Sequence, residues 1–127
     1  MLMITPHLWA GHLSEQFARH WLSRQGLKLL TNNYRCKLGE LDLVMLEKQC
    51  LVIVEVQYRK SDAYGGALES ISREKRRRIS RATTDFLKHR PQYRHRPLRF
   101  DALTLTKPFS ALKVTWRRRA FGGEDSG

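Results

Sequence analysis

The chain has 127 residues, with 24 Lys or Arg against 12 Asp or Glu and a formal net charge of +12; the sequence pI is about 10.4. That length suits one domain able to bury a core without disulfides or a structural metal, and 41% hydrophobic with 28% charged residues excludes disorder over most of it. A surface so basic attracts polyanions, of which nucleic acid is the commonest; anionic membrane and plain solubility are the other readings.

The opening "MLMITPHLWAGHL" lacks a basic n-region, a long apolar h-region and a small-residue cleavage site, and no stretch approaches 18 apolar residues, so a cytoplasmic, soluble protein without a membrane span is expected. A single domain is expected over residues 1–121, with a flexible tail at 122–127. Residues 12–25, "HLSEQFARHWLSRQ", repeat apolar positions at 13, 17 and 21 and at 18 and 22, which predicts a helix ending before Gly26. Glu15 shares a stripe with Gly11, Ala18 and Leu22; it reads either as an acid favoured by the helix dipole or as an inward-facing site residue.

A short strand is expected at 27–31, with Asn32-Asn33 as a turn signal. Runs 41–46 and 51–56 are strand-like and separated by Glu47-Lys48-Gln49, which predicts a central antiparallel hairpin. Cys36 and Cys50 have no zinc-site spacing to each other or to a His and read as reduced and structural. Gly65-Gly66 marks a loop, with Tyr64 beside it. Residues 73–89 form the clearest helix, with Ser72 as N-cap and an apolar stripe through Ile71, Ile79, Ala82 and Phe86. A basic loop "PQYRHRP" follows, then strands at 98–105 and 112–116, linked through Lys107-Pro108.

The hairpin carries acids that an apolar strand should not, since an unpaired buried carboxylate is costly. A turn centred on Lys48-Gln49 sets Asp42 opposite Glu55 and Glu40 opposite Gln57, all on one face and with nearest opposites about 5 Å apart. Like charges so placed repel. Three arrangements answer this: a divalent cation such as Mg²⁺ held between the carboxylates, salt bridges to Arg35, Arg59 or Lys37, or a register slip that separates the acids.

The run Gly39-Glu40-Leu41-Asp42-Leu43-Val44, followed by Val54-Glu55-Val56-Gln57-Tyr58-Arg59, resembles the PD-(D/E)XK nuclease-like superfamily and, more closely, the YraN-like family of small bacterial proteins. The resemblance extends to Gly11, Glu15, Ala18, Leu22, Gly26, Asn33-Tyr34-Arg35, Gly65-Gly66, Lys75, Ile79, Arg99-Phe100-Asp101, Trp116 and Ala120-Phe121, roughly residues 11–121. It implies a restriction-endonuclease-like α/β core, a central mixed β-sheet flanked by helices. It also implies that Asp42 and Glu55 are ligands for Mg²⁺ or Mn²⁺, with the Val56 carbonyl as a third, and that Glu15 is the added helix acid. The superfamily's lysine position is occupied by Gln57, which can hydrogen-bond a water but carries no charge; Arg59 or Lys75 is the alternative source of charge. Ser14 stands where the family usually has Gly.

Residues 73–99 hold eleven Lys or Arg against Glu74 and Asp85. Arg76, Arg77 and Arg78 wrap around the helix, neighbours being about 100° apart, and read as a solvated face or as phosphate contacts. Arg94 and Arg96, with Arg99, Tyr93 and His95, suit phosphates or base stacking, and Arg117-Arg118-Arg119 extend the same track. Trp9, Trp21 and Trp116 read as packing residues, and Asp101 as structural. The functional expectation is a metal-dependent nuclease acting on DNA, ahead of RNA, or on structured nucleic acid, with a homodimer as one expected assembly state. The alternatives are a catalytically inactive nucleic-acid-binding protein with the same fold, and an adaptor for an acidic protein.

Overall fold

The computed structural model describes residues 12–59, 71–106 and 112–122. Helix α1 (His12–Arg24) leads into strands β1 (Lys28–Cys36), β2 (Gly39–Glu47) and β3 (Cys50–Arg59); helix α2 (Arg73–His89), a 3-10 turn (Pro91–Tyr93) and strands β4 (Leu98–Thr106) and β5 (Lys113–Phe121) follow. The strands form one sheet in the order β1-β2-β3-β4-β5. All neighbours are antiparallel except β3 and β4, whose parallel pairing is spanned by the connection carrying α2, as parallel strands require. This five-stranded mixed sheet flanked by two helices agrees with a restriction-endonuclease-like core.

A core cluster lies on each face of the sheet. Ala18 and Leu22 of α1 pack with Leu43, Met45, Val52, Val54, Leu103 and Leu105. Ile79, Ala82 and Phe86 of α2 pack with Val44, Leu51, Ile53, Phe100 and Ala102 on the other face. Strand β3 is thus covered on both faces, the physical reason for its nearly unbroken apolar run. Gly26 stops α1 with φ +102°, where the Leu27 N–H donates back to the Leu22 carbonyl at 3.1 Å. Ser72 caps α2 by accepting from the Lys75 N–H at 3.1 Å.

Two strand expectations are corrected. Asn32-Asn33 does not turn the chain: β1 runs through to Cys36, with Asn33 at φ +53°. Asn tolerates this left-handed conformation in a kinked strand as readily as in a turn. Strand β5 extends through Arg117, Arg118 and Arg119 to Phe121. It is an edge strand, where outward charges discourage pairing with other chains. Gly11, Trp9, Tyr64, Gly65-Gly66, Lys107-Pro108 and the tail beyond Gly122 lie outside the described residues.

Asp101 is fully buried and saturated. It accepts from Arg99 Nε and Nη2, both at 2.9 Å, from Trp116 Nε1 at 3.0 Å and from the Arg119 N–H at 3.1 Å. Arg99 also donates to Glu47 at 2.7 Å, and Trp116 packs edge-on to Trp21, with ring centroids 5.8 Å apart. Asp101 therefore ties β4 to β5, which is a structural role. We expect Asp101→Ala to cost about 3 kcal/mol, because it leaves the Arg99 guanidinium with Glu47 alone and strips the Trp116 and Arg119 N–H donors of their acceptor; urea unfolding beside the wild type measures it.

Gly39 fixes how closely α2 approaches the turn between β1 and β2. A Cβ built there would sit 2.8 Å from the Arg78 carbonyl oxygen and 3.2 Å from its Cβ, so backbone would have to move. Gly39→Ala is expected to destabilise by about 1–3 kcal/mol, read as a lower urea midpoint with an unchanged slope.

Candidate functional site

The site lies where β2 and β3 part. Their ladder follows the register expected from the turn, Glu47↔Cys50 through to Leu43↔Val54, and its recorded pairing ends there. One step further, the carboxylates of Asp42 and Glu55 take over from the backbone. The Asp42 N–H donates to Glu55 Oε2 at 3.3 Å, and the Val56 N–H donates to Asp42 Oδ2 at 2.8 Å. Each acid is thereby oriented by the other's strand. The register slip considered above does not occur.

Strand β2 changes its packing at this point. Leu41 joins the α2-side cluster and Leu43 the α1-side cluster, although strict alternation would put both on one face. Across from Asp42, between the pairs Asn32↔Leu43 and Tyr34↔Leu41, lies the left-handed Asn33. The strand irregularity and the acid pair therefore coincide.

Both acids open on a cavity of about 490 Å³ on the α2 face, lined also by Arg35, Lys37, Leu38, Gly39, Glu40, Lys75, Arg78 and Ile79. Glu55 is 2% exposed. Burial first, and the neighbouring Asp42 charge second, hold its carboxyl well above the usual carboxylate range, with Lys75 opposing. Asp42 is also raised, chiefly by burial, against the Val56 hydrogen bond and Lys75. Lys75 reaches Glu55 Oε1 with Nζ at 3.8 Å and is 41% exposed. Arg35 pairs instead with Glu40 at 3.4 Å, both well exposed, a contact worth little in water.

The donor set suits a hard divalent cation. Among the described residues no three His, Cys, Asp or Glu side chains gather into a metal-capable group, so any such ion would rest on Asp42, Glu55 and main-chain oxygen such as the Val56 carbonyl. Mg²⁺ commonly accepts one or two carboxylates and retains waters. The charged state of the buried Glu55, disfavoured by burial and by the half-buried Asp42 beside it, would be relieved by such a cation.

The other expected site residues are placed unevenly. Gln57 follows Glu55 on β3, half-buried, and accepts from Thr104 Oγ1 at 3.4 Å; it does not line the cavity. Arg59 ends β3, half-buried, with no hydrogen-bond partner for its buried Nε. Glu15 sits in the first turn of α1, whose core contacts are on the opposite face, and it is not part of the cavity wall.

Of the triple arginine only Arg78 lines the cavity. Arg76 Nε donates to the Ile71 carbonyl at 3.0 Å, with its guanidinium 6.0 Å from the Phe121 ring centroid. Arg77 is exposed beside Arg78 and Arg81 in a second cleft. Arg94 is exposed, and Arg96 sits over Tyr93 at 5.6 Å and donates to Gln49 at the hairpin turn. That turn is about 20 Å along the strand from Glu55, so these two arginines do not join the acids. Leu38 is the wall residue that the sequence reading passed over; an apolar residue between Lys37 and Gly39 was its only signal.

Fold and cavity together define an α/β domain with a carboxylate pair set in a largely basic cleft. Within that class the chain belongs to the uncharacterised protein family UPF0102, whose profile matches residues 14–105; this is the YraN-like family that the motifs resembled. The chain is similar to the UPF0102 protein of Alcanivorax borkumensis, 41% identical over 116 residues, 90% of this chain and 92% of the relative. It is likewise similar to that of Pseudomonas syringae pv. syringae, 42% identical over 113 residues, 88% and 92% respectively, and to that of Pseudomonas putida W619, 44% identical over 113 residues with the same coverage.

Proposed function

We propose that this protein is a metal-dependent nuclease of the PD-(D/E)XK type, hydrolysing phosphodiester bonds in DNA or structured nucleic acid. The observation that supports the reading is the reciprocal pair of a buried Glu55 and a half-buried Asp42, lining a cavity together with Lys75, Arg78, Arg35 and Lys37. Asp42, Glu55 and the Val56 carbonyl would hold Mg²⁺ or Mn²⁺. Such an ion supplies a Lewis acid that polarises a phosphoryl oxygen and lowers the pKa of a water.

The chain's own groups do the rest. Arg78 and Lys37 draw the phosphate backbone into the cavity and hold it by charge. Lys75, in the first turn of α2, supplies positive charge 3.8 Å from Glu55, against the negative charge that develops on the phosphoryl group. Gln57 is left with hydrogen bonding alone. No helix among the described residues is long and apolar enough to cross a membrane.

Gln57 at the lysine position also favours a second reading, a nucleic-acid-binding protein without turnover. One experiment separates the two: a labelled panel of single strands, duplex, flaps and junctions incubated with Mg²⁺ or Mn²⁺, with Asp42→Ala in parallel. Cleavage that disappears in the variant supports the nuclease; salt-sensitive binding indifferent to EDTA, without cleavage, supports the binding protein.

A further inference from the structure

Leu38 is one of two large hydrophobic residues strongly exposed among the described residues, at 50%. It occupies the tight turn between Cys36 of β1 and Gly39 of β2. The turn is held from behind, since at Gly39 the α2 backbone at Arg78 leaves no room for a side chain. Leu38 is therefore presented on a supported turn.

Its surroundings are cationic on both sides. Toward the acid pair lies the cavity of about 490 Å³, with Arg35, Lys75 and Arg78. On the other side lies a cleft of about 520 Å³ formed with Arg77, Arg78 and Arg81. Lys37, Leu38 and Arg78 line both, so Leu38 and its neighbours form the ridge between them. The acids present are Glu40, already paired with Arg35, and Glu74 in the second cleft, along with the site acids themselves. An apolar projection between two phosphate-attracting clefts has the layout of a wedge that enters a base step while cations hold the backbone on each side.

We propose that Leu38 is inserted into the base stack of duplex nucleic acid at an interruption such as a nick or an unpaired flap base, with the flanking backbone seated in the two clefts. An interrupted stack costs less to open than an intact one, so the ligand favoured is a duplex with a break in its stacking. The inference rests on the nucleic-acid part of the function proposed above, and it specifies the substrate class at that site.

The test is fluorescence anisotropy in EDTA, where no cleavage occurs, with intact, nicked and single-base-flap duplexes of one sequence. The wild type should bind the interrupted duplexes about tenfold more tightly than the intact one. Leu38→Ala should lose that preference, with the three duplexes binding within about twofold of one another, and Leu38→Phe should retain it. A preference that survives in Leu38→Ala, equal weakening of all three duplexes, or binding to none of them overturns the proposal. Asp42→Asn, run beside it, should keep the preference while losing cleavage with Mn²⁺. If Asp42→Asn still cleaves, the acid-pair reading fails while the wedge stands; if cleavage is lost but Leu38→Ala still discriminates, only the wedge fails.

Discussion

Asp42→Asn and Glu55→Gln will each lower divalent-dependent cleavage by on the order of 10⁴-fold, the scale seen when one member of a catalytic unit is removed, and Glu55→Gln will at the same time make the metal-free protein more stable. Both follow from one geometry. The carboxylates hold each other's strands through the Asp42 and Val56 N–H groups, and an amide oxygen can accept those same bonds, so the isosteric variants keep the fold. What they lose is charge. Glu55 is 2% exposed, and its carboxyl is raised by burial and by Asp42, so in the metal-free state its ionised form is disfavoured.

The sign of the pH dependence follows. Between the ordinary carboxylate pKa and the raised folded value, the native state binds more protons than the unfolded chain. Stability contributed by these acids is therefore fully present below the ordinary value and is lost as pH rises through the raised one. Metal-free wild type should lose stability over that window, Glu55→Gln should show a flatter profile, and Mn²⁺ should restore the wild type alone. Near neutrality a gain of about 1 kcal/mol in the variant, roughly 4 °C in Tm, is the outcome to read from thermal melts across pH.

Lys75→Ala is expected to lower kcat by about 10²–10³-fold, the range for removing one preorganised stabiliser of developing charge, with divalent binding retained. Gln57 provides no charge, and it is bonded to Thr104 and absent from the cavity wall, whereas Lys75 stands 3.8 Å from Glu55 and lines that wall. Gln57→Lys in the Lys75→Ala background should recover part of the loss, because it returns an ammonium to the strand position that follows Glu55 on the same face. Single-turnover rates, measured beside Mn²⁺ affinity, separate this role from ligation. If Lys75→Ala instead abolishes ion binding with no rate effect of its own, the lysine serves only to organise Glu55.

Much of this site could be read from local sequence because local rules set it. The turn at Lys48-Gln49 fixed the hairpin register, so the face shared by Asp42 and Glu55 followed from counting, and the observed ladder has that register. Ser72 and the apolar spacing through Ile79, Ala82 and Phe86 set α2 between Arg73 and His89. The unread parts depend on tertiary placement. Asn33 signals a kinked strand and a turn with the same residue type, and only the pairing of β1 with β2 distinguishes them. Arg117 to Arg119 look like loop when written as a charge run, yet they belong to an edge strand with one face in solvent.

The convergence of Lys75 on Glu55, and the separation of Arg94 and Arg96 from both, depend on where α2 crosses the sheet. Gly39 controls that approach through its contact with Arg78, and no periodicity in the sequence encodes it. The ridge residue Leu38 was silent for the same reason: its neighbours in space come from α2, far along the chain.

The measurement that bears most directly on the central claim is a calorimetric titration of the metal-free protein with Mn²⁺ at neutral pH, wild type beside Asp42→Asn and Glu55→Gln. Saturable binding by the wild type and its loss in both variants is the result this account predicts. Binding of equal strength in all three proteins, or none in the wild type, would contradict it.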